Sequence, residues 1–312
     1  MAEVVVGEFE KRDIDGQVER ILRDLGDPEP PLDLSDVRSL LSLDLQYYSS
    51  TDPGLVAELS HRFTLFARKT LPDVGRHLLN ALAKSKLCAF WVPDSARILL
   101  DESVPQLKHR WIEAHEITHS IAPWHKGYLL GDNLHMVDPN CHAVLEAEAN
   151  YGAGRLLFLQ ERFSQEARDL PLSFTSVKQL ATRYHNSIQS TCWRMVEERN
   201  PQEPVFGVIS IHPKHPTVGR HDGPDAWRYF IRSLGFRSRF GKVLPEHLYP
   251  LIERLSSQRK TGPVFVADEL LTDAAGASWE FRLESFSTGH ALLTVGYALR
   301  PHHVIVPVAV AL

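Results

Sequence analysis

The stretch RWIEAHEITHSI, residues 110 to 121, sets His115 and His119 four positions apart around Glu116. Positions i and i+4 lie one turn apart on the same face of an α-helix, so a helix here aims two imidazoles at one point, the geometry of two zinc ligands. Glu116 points about a hundred degrees round the helix, too far to share the same direct bond but well placed to hydrogen-bond a water on the metal. It is the candidate general base of a zinc hydrolase. Chance has to be weighed, since in a chain with sixteen histidines an H-E-x-x-H arises in roughly one shuffled version in twenty.

A hydrolytic zinc site needs a third protein ligand and one open position. Residues 142 to 160 contain AVLEAEANYGAGRLLFL, a proline-free run with an apolar stripe that predicts a long second helix. It offers Glu146 and Glu148 as ligands. Glu146 is preferred because Asn150 stands at i+4 from it, so one face presents a carboxylate to the metal and an amide behind it, able to orient a ligand histidine through its other ring nitrogen. His125, His135, Cys141 and His142 in the intervening segment are competing ligands. Gly152 and Gly154 weaken such a helix by roughly 1 kcal/mol each relative to alanine, which close helix packing would offset.

Outward from these segments the chain divides into three zones. Helical spacing of Val18, Ile21, Leu22 and Leu25 predicts a helix over 14–25, and LDLSDVRSLLSL a second, with Ser35 and Asp36 as candidate caps. DLQYYS reads as a strand, Pro72 to Lys84 as a helix, and CAFWV with ARILL as a β-hairpin about Pro93, Asp94 and Ser95. Two short helices joined near Asn186 follow from Ser173. Beyond Pro204 five strand candidates appear, namely VFGVISI, PVFVADEL, SWEFRLESFS, ALLTVGYAL and HVIVPVAVAL, with helices expected at 224–235 and 246–257. The expected organisation is an α+β protein with a metal-binding domain over 1–165, a helical segment over 166–200 and an α+β domain over 201–312.

Composition narrows the function. A formal net charge of −5 argues against a broad grip on nucleic acid or anionic membrane. The start, MAEVVVGEFEKRD, lacks the basic and apolar regions of a signal peptide, and HVIVPVAVAL is half the length needed to span a bilayer. Cys88, Cys141 and Cys192 are an odd number with no C-x-x-C pair, against a disulfide framework. A cytoplasmic protein is the simplest expectation.

Together these residues resemble the ImmA/IrrE family of zinc metallopeptidases, in which a hairpin leads into R-F-T-x-A-H-E-x-G-H and a later helix carries E-x-x-A-N-x-x-A-x-x-L-L. RWIEAHEITH keeps Arg110, Ala114, His115, Glu116 and His119, and EAEANYGAGRLLF keeps Glu146, Ala149, Asn150, Ala153, Leu156 and Leu157. Ile112 stands where the family prefers threonine, and Thr118 where it prefers glycine. The resemblance spans about 35–200 and implies a zincin-like fold holding one Zn2+ on His115, His119 and Glu146, with Glu116 as catalytic base. It implies a helix-turn-helix-like segment after the catalytic part and, by analogy with some members, a GAF-like sensor domain at the end. It also implies a cytoplasmic regulatory protease that cuts a helix-turn-helix transcriptional repressor, releasing a stress, phage or mobile-element programme.

Other features admit plainer readings. Residues 176–199 have the form of a unit that enters a DNA groove, but Lys178, Arg183, Arg194 and Arg199 are offset by Glu197 and Glu198, which favours packing or substrate docking over DNA. His212, His215, His221 and Asp222 are broken up by Pro213, Pro216 and Gly219 and read as a solvated loop rather than a second metal site. Tyr151, Arg155, Tyr184 and His185 are candidate donors to an oxyanion. The competing function is a DNA-binding or ligand-sensing regulator with a structural zinc and no required proteolysis. A toxin-like partner of an adjacent protein is a third.

Overall fold

In a computed structural model the described residues are 6–49, 89–92, 96–125, 139–221 and 223–302; side chains at 90 and 139–142 lie outside the description. The chain forms two compact units, Met1–Gln160 and Glu161–Leu312. It is a mixed α+β protein.

The first unit opens with α1 (Glu8–Asp24), which buries Ile14, Val18, Ile21 and Leu22, the apolar stripe of its sequence. It starts earlier than the periodicity predicts. In α2 (Leu34–Leu41) the N-cap is Asp33, whose carboxylate accepts from Ser35 N–H at 2.8 Å, in place of the expected Ser35 or Asp36. Such a cap contributes about 1 kcal/mol. Three strands follow: β1 (Asp44–Tyr48), β2 (Ala89–Val92) and β3 (Arg97–Asp101). The expected hairpin is present, with β2 antiparallel to β3 and Val92 opposite Arg97, while its turn at 93–95 and the helix expected over 72–84 fall outside the described residues. The sheet order is β1-β3-β2, with β1 parallel to β3.

Helix α3 (Gln106–Ile121) carries the H-E-x-x-H stretch, and α4 (Pro139–Leu157) carries the two glutamates. α3 packs on β2 and β3 and also on α4, so it is buried on more than one side. Ile112 joins the cluster of Ala89, Leu100 and Val104, an apolar contact that a threonine hydroxyl would weaken. α1 lies along α4, where Arg155 Nε and Tyr151 Oη both donate to the Asp15 carboxylate, at 2.7 and 2.9 Å.

The second unit contains α5 (Glu161–Arg168), α6 (Phe174–Arg183), α7 (Ile188–Glu198), α8 (Leu234–Arg239) and α9 (Pro245–Leu255). Its strands are β4 (Val205–Ser210), β5 (Trp227–Arg232), β6 (Gly262–Thr272), β7 (Ser278–Ser287) and β8 (Leu292–Pro301). They form an antiparallel sheet of order β5-β4-β8-β7-β6. Half of the helix expected over 224–235 is instead the strand WRYFIR, whose three aromatic residues and Ile231 suit pairing with β4. Phe206, Phe236, Phe240 and Phe281 fill the core together with Leu248 and Ile252 of α9, and Gly296 leaves room for the Phe206 ring. α7 packs on β4, β5 and β8, and α6 touches β7, so the helical segment expected over 166–200 is part of this unit. The strand expected at 303–312 lies outside the described residues.

Candidate metal centre

α3 and α4 bring His115, His119 and Glu146 together, one ligand atom of each lying within 4.8 Å of the others. The separations are 3.1 Å between the two Nε2 atoms, 3.3 Å from His115 Nε2 to Glu146 Oε2 and 3.6 Å from His119 Nε2 to Glu146 Oε1. Donors on a tetrahedral zinc, at bond lengths of 2.0–2.2 Å, stand about 3.3–3.6 Å apart. The donor set therefore fits one small cation with little movement of either helix. Two imidazole lone pairs facing each other at 3.1 Å need a proton or a cation between them.

Behind these three side chains stands a second layer. Asn150 Oδ1 lies 3.3 Å from His115 Nδ1 and accepts from Trp111 Nε1 at 3.4 Å, the orienting position expected of an amide one turn beyond Glu146. The two residues weighed as alternative ligands, His125 and Glu148, take other places. His125 Nδ1 lies 2.8 Å from His119 Nδ1, and its Nε2 lies 2.8 Å from Glu148 Oε2. Trp124 Nε1 donates to the same carboxylate oxygen at 2.6 Å. His125 is fully buried and Glu148 nearly so. The sequence signal for this pair was only the nearness of two titratable residues to the motif. His135 lies outside the described residues, as do the side chains of Cys141 and His142.

The electrostatics separate the roles. Burial pushes Glu116 up to about 7, against the pull of His115 and a hydrogen bond from the Trp91 backbone, and the Glu146 charge adds to the rise. Burial likewise drives His119 down to about 4, so it stays neutral around pH 7. At His115 burial is outweighed by the hydrogen bond with Glu146 and the charges of Glu116 and Glu146, which raise it above the ordinary histidine value. Burial of Glu146 is outweighed by its two histidine partners, which hold it far below the ordinary carboxylate range. One carboxylate is thus held ionised at the metal locus while another, Glu116, can gain and lose a proton near neutrality.

The remaining candidates have structural partners. Tyr151 and Arg155 hold Asp15 of α1. Tyr184 is buried against Phe163 at a ring separation of 5.4 Å, and His185 takes the left-handed backbone that ends α6, both in the second unit. Residues 212–221 form a loop, as expected, with Lys214, Pro216, Thr217 and Arg220 exposed, but its first histidine is not solvated. His212 is fully buried with Nε2 2.8 Å from the Arg259 carbonyl, and His215 Nε2 lies 2.9 Å from the Gln258 carbonyl, so the two rings pin this loop to residues 258–259. Asp222 lies outside the described residues. No residue of α7 is exposed, and Thr191, Cys192, Arg194, Met195 and Val196 are buried.

No family model matches the chain. No curated protein matches it. Among solved structures the fold is similar to that of a Mycobacterium tuberculosis transcriptional regulator, with 14% identity and a TM-score of 0.52 over 93% of this chain and 76% of that one. Among the described residues no helix is long and apolar enough to cross a membrane.

Proposed function

We propose that the first unit is a zincin-like metallopeptidase domain and that the protein is a zinc-dependent endopeptidase, cleaving a specific partner, a helix-turn-helix transcriptional repressor. The observation that carries this reading is the convergence of His115, His119 and Glu146 on one point with Glu116 buried on the same helix. Zinc bound there would supply a Lewis acid that makes a water nucleophilic near neutral pH. His115, His119 and Glu146 would hold the ion, and Asn150 would fix the His115 ring. Glu116, set near 7 by burial, would accept a proton from the attacking water and return it to the leaving amine. β2, a strand with one edge unpaired among the described residues, touches Glu116 through the Trp91 backbone; an extended peptide adding to that edge would lie beside the base. The repressor as substrate rests on the family resemblance of the two metal segments.

The test is direct. Purified protein should hold one zinc per chain, and Glu116→Gln should keep the metal while losing cleavage of a repressor encoded beside it. Equal cleavage by that variant would sink the proposal.

A second reading, a DNA-binding or ligand-sensing regulator with a structural zinc, draws on the likeness to the Mycobacterium tuberculosis transcriptional regulator. The antiparallel sheet with α8 and α9 on one face is compatible with a GAF-like sensor over 201–312. Against DNA reading by the helical pair, α7 packs on β4, β5 and β8 and has no exposed residue, so it presents little surface to a groove. Sequence-selective gel shifts unaffected by Glu116→Gln would favour this reading.

A further inference from the structure

The metal centre holds a chain of contacts that no ligand role uses. Glu148 sits on α4 two residues beyond Glu146, and His125 sits in the turn after α3, where its N–H donates to the Ala122 carbonyl at 3.0 Å. Both side chains are shut off from water, at 2% and 0% exposure, so each polar atom must find a partner inside the protein. The partners then leave one arrangement for a neutral His125. A carboxylate only accepts, so His125 must carry its hydrogen on Nε2 and donate to Glu148. Its Nδ1 is then a bare acceptor, and the hydrogen between the two Nδ1 atoms belongs to His119. That leaves His119 Nε2 as a lone pair, aimed at the point shared with His115 and Glu146.

We propose that His125 and Glu148 are positioning residues that act through His119, fixing its ring orientation and the tautomer in which Nε2 is free to bind the metal. Trp124 secures Glu148 from a second direction. The inference rests on the metal-site reading, and it deepens that reading by assigning to His119 a two-step support where His115, among the described residues, has the amide of Asn150. Removing the relay leaves His119 free to rotate or to take the other tautomer, and outer-shell partners of this kind commonly change metal affinity 10- to 100-fold.

Zinc affinity is to be measured by competition with a chelator, and the visible spectrum of the cobalt-substituted protein recorded, for wild type, His119→Ala, His125→Leu, His125→Gln and Glu148→Gln. Wild type should bind one equivalent and His119→Ala should lose it. His125→Leu should bind about 10- to 100-fold more weakly with altered cobalt bands, and His125→Gln, whose amide can accept from His119 and donate to Glu148, should restore most of the affinity. Glu148→Gln should weaken binding in the wild-type background and add nothing in the His125→Leu background, because it acts through that ring. If His125→Leu fails to fold, as read by circular dichroism, the comparison of His125→Gln with the His125→Gln/Glu148→Gln pair decides, since a relay predicts that the second change matters. Wild-type affinity and spectrum in folded His125→Leu, or independent losses in the double variant, would overturn the relay while leaving the metal site standing. Failure of the wild type to bind zinc, or binding unaffected by His119→Ala, would overturn the metal site and the relay with it.

Discussion

Thr118 of α3 occupies the space that the missing β-carbon of Gly152 leaves open on α4: a methyl at residue 152 would overlap the Thr118 side chain and press on Ile14 of α1. Three helices therefore meet at one glycine, and two of them are the helices that bring His115, His119 and Glu146 together. Gly152→Ala gains helix propensity of about 1 kcal/mol, but overpacking a buried contact costs about 1–3 kcal/mol, so the net effect should be destabilising or near neutral. Paired with Thr118→Gly, the same alanine should be better tolerated than it is alone. Denaturant unfolding of the four proteins of this cycle checks it; additive losses would show that the two residues do not compete for one space.

Glu116 ties stability to pH. Its folded value, about 7, stands above the ordinary 4.5, so the folded state prefers the protonated carboxyl. The resulting stability is complete below about 4.5 and is lost as pH rises through about 7. Without metal, Glu116→Gln should match the wild type in acid and exceed it above neutrality by as much as about 3 kcal/mol. Chelator-treated protein unfolded at acid and alkaline pH supplies the measurement, and a gap that shrinks with rising pH would contradict the burial argument.

Acid should expel the metal through His115 first. That ring is raised above its ordinary value, whereas His119 is driven down to about 4 and needs no deprotonation near neutrality. A protonated imidazole cannot ligate, so below the raised His115 value zinc affinity should fall about tenfold per pH unit, one proton for each metal. Glu146→Gln removes the main partner of that proton and should flatten the pH dependence while weakening binding overall. Chelator competition across pH tests this, and a slope of two protons near neutrality would assign both rings to the same range.

In the second unit, Ser233 ties a strand to a helix. Its hydroxyl donates to the Glu203 carbonyl at 2.6 Å and accepts from Val205 N–H at 3.0 Å and Phe236 N–H at 3.1 Å, joining β4 to the start of α8 at a buried point. Ser233→Ala strands these groups and should cost about 1–3 kcal/mol. A threonine there keeps the hydroxyl and should lose less. Thermal unfolding followed through the six tryptophans would report the loss, and a silent alanine variant would show that water takes over these bonds.

Local periodicity determined by itself much of what matters at the metal locus. His115 and His119 share a face because a helix repeats every 3.6 residues, and the same repeat sets Asn150 behind Glu146; both are properties of one element. The hairpin was legible for the same reason, since alternation and a turn signal lie within a dozen residues. What only the tertiary structure decided are matters of which face meets which. Glu148 is one residue type among several on its helix until the crossing of α3 and α4 puts it against His125, 23 positions away. α7 carries an apolar face whatever it covers; the sheet beneath it, made of strands that follow it in the chain, turns a helix with the outline of a DNA reader into a buried layer. WRYFIR is a strand because β4 lies beside it, and His212 is buried because the carbonyl of Arg259 is there to receive it. Side-chain spacing along an element follows from backbone geometry, but the partner across a gap is chosen by packing the whole core at once, and no short stretch of sequence contains that choice.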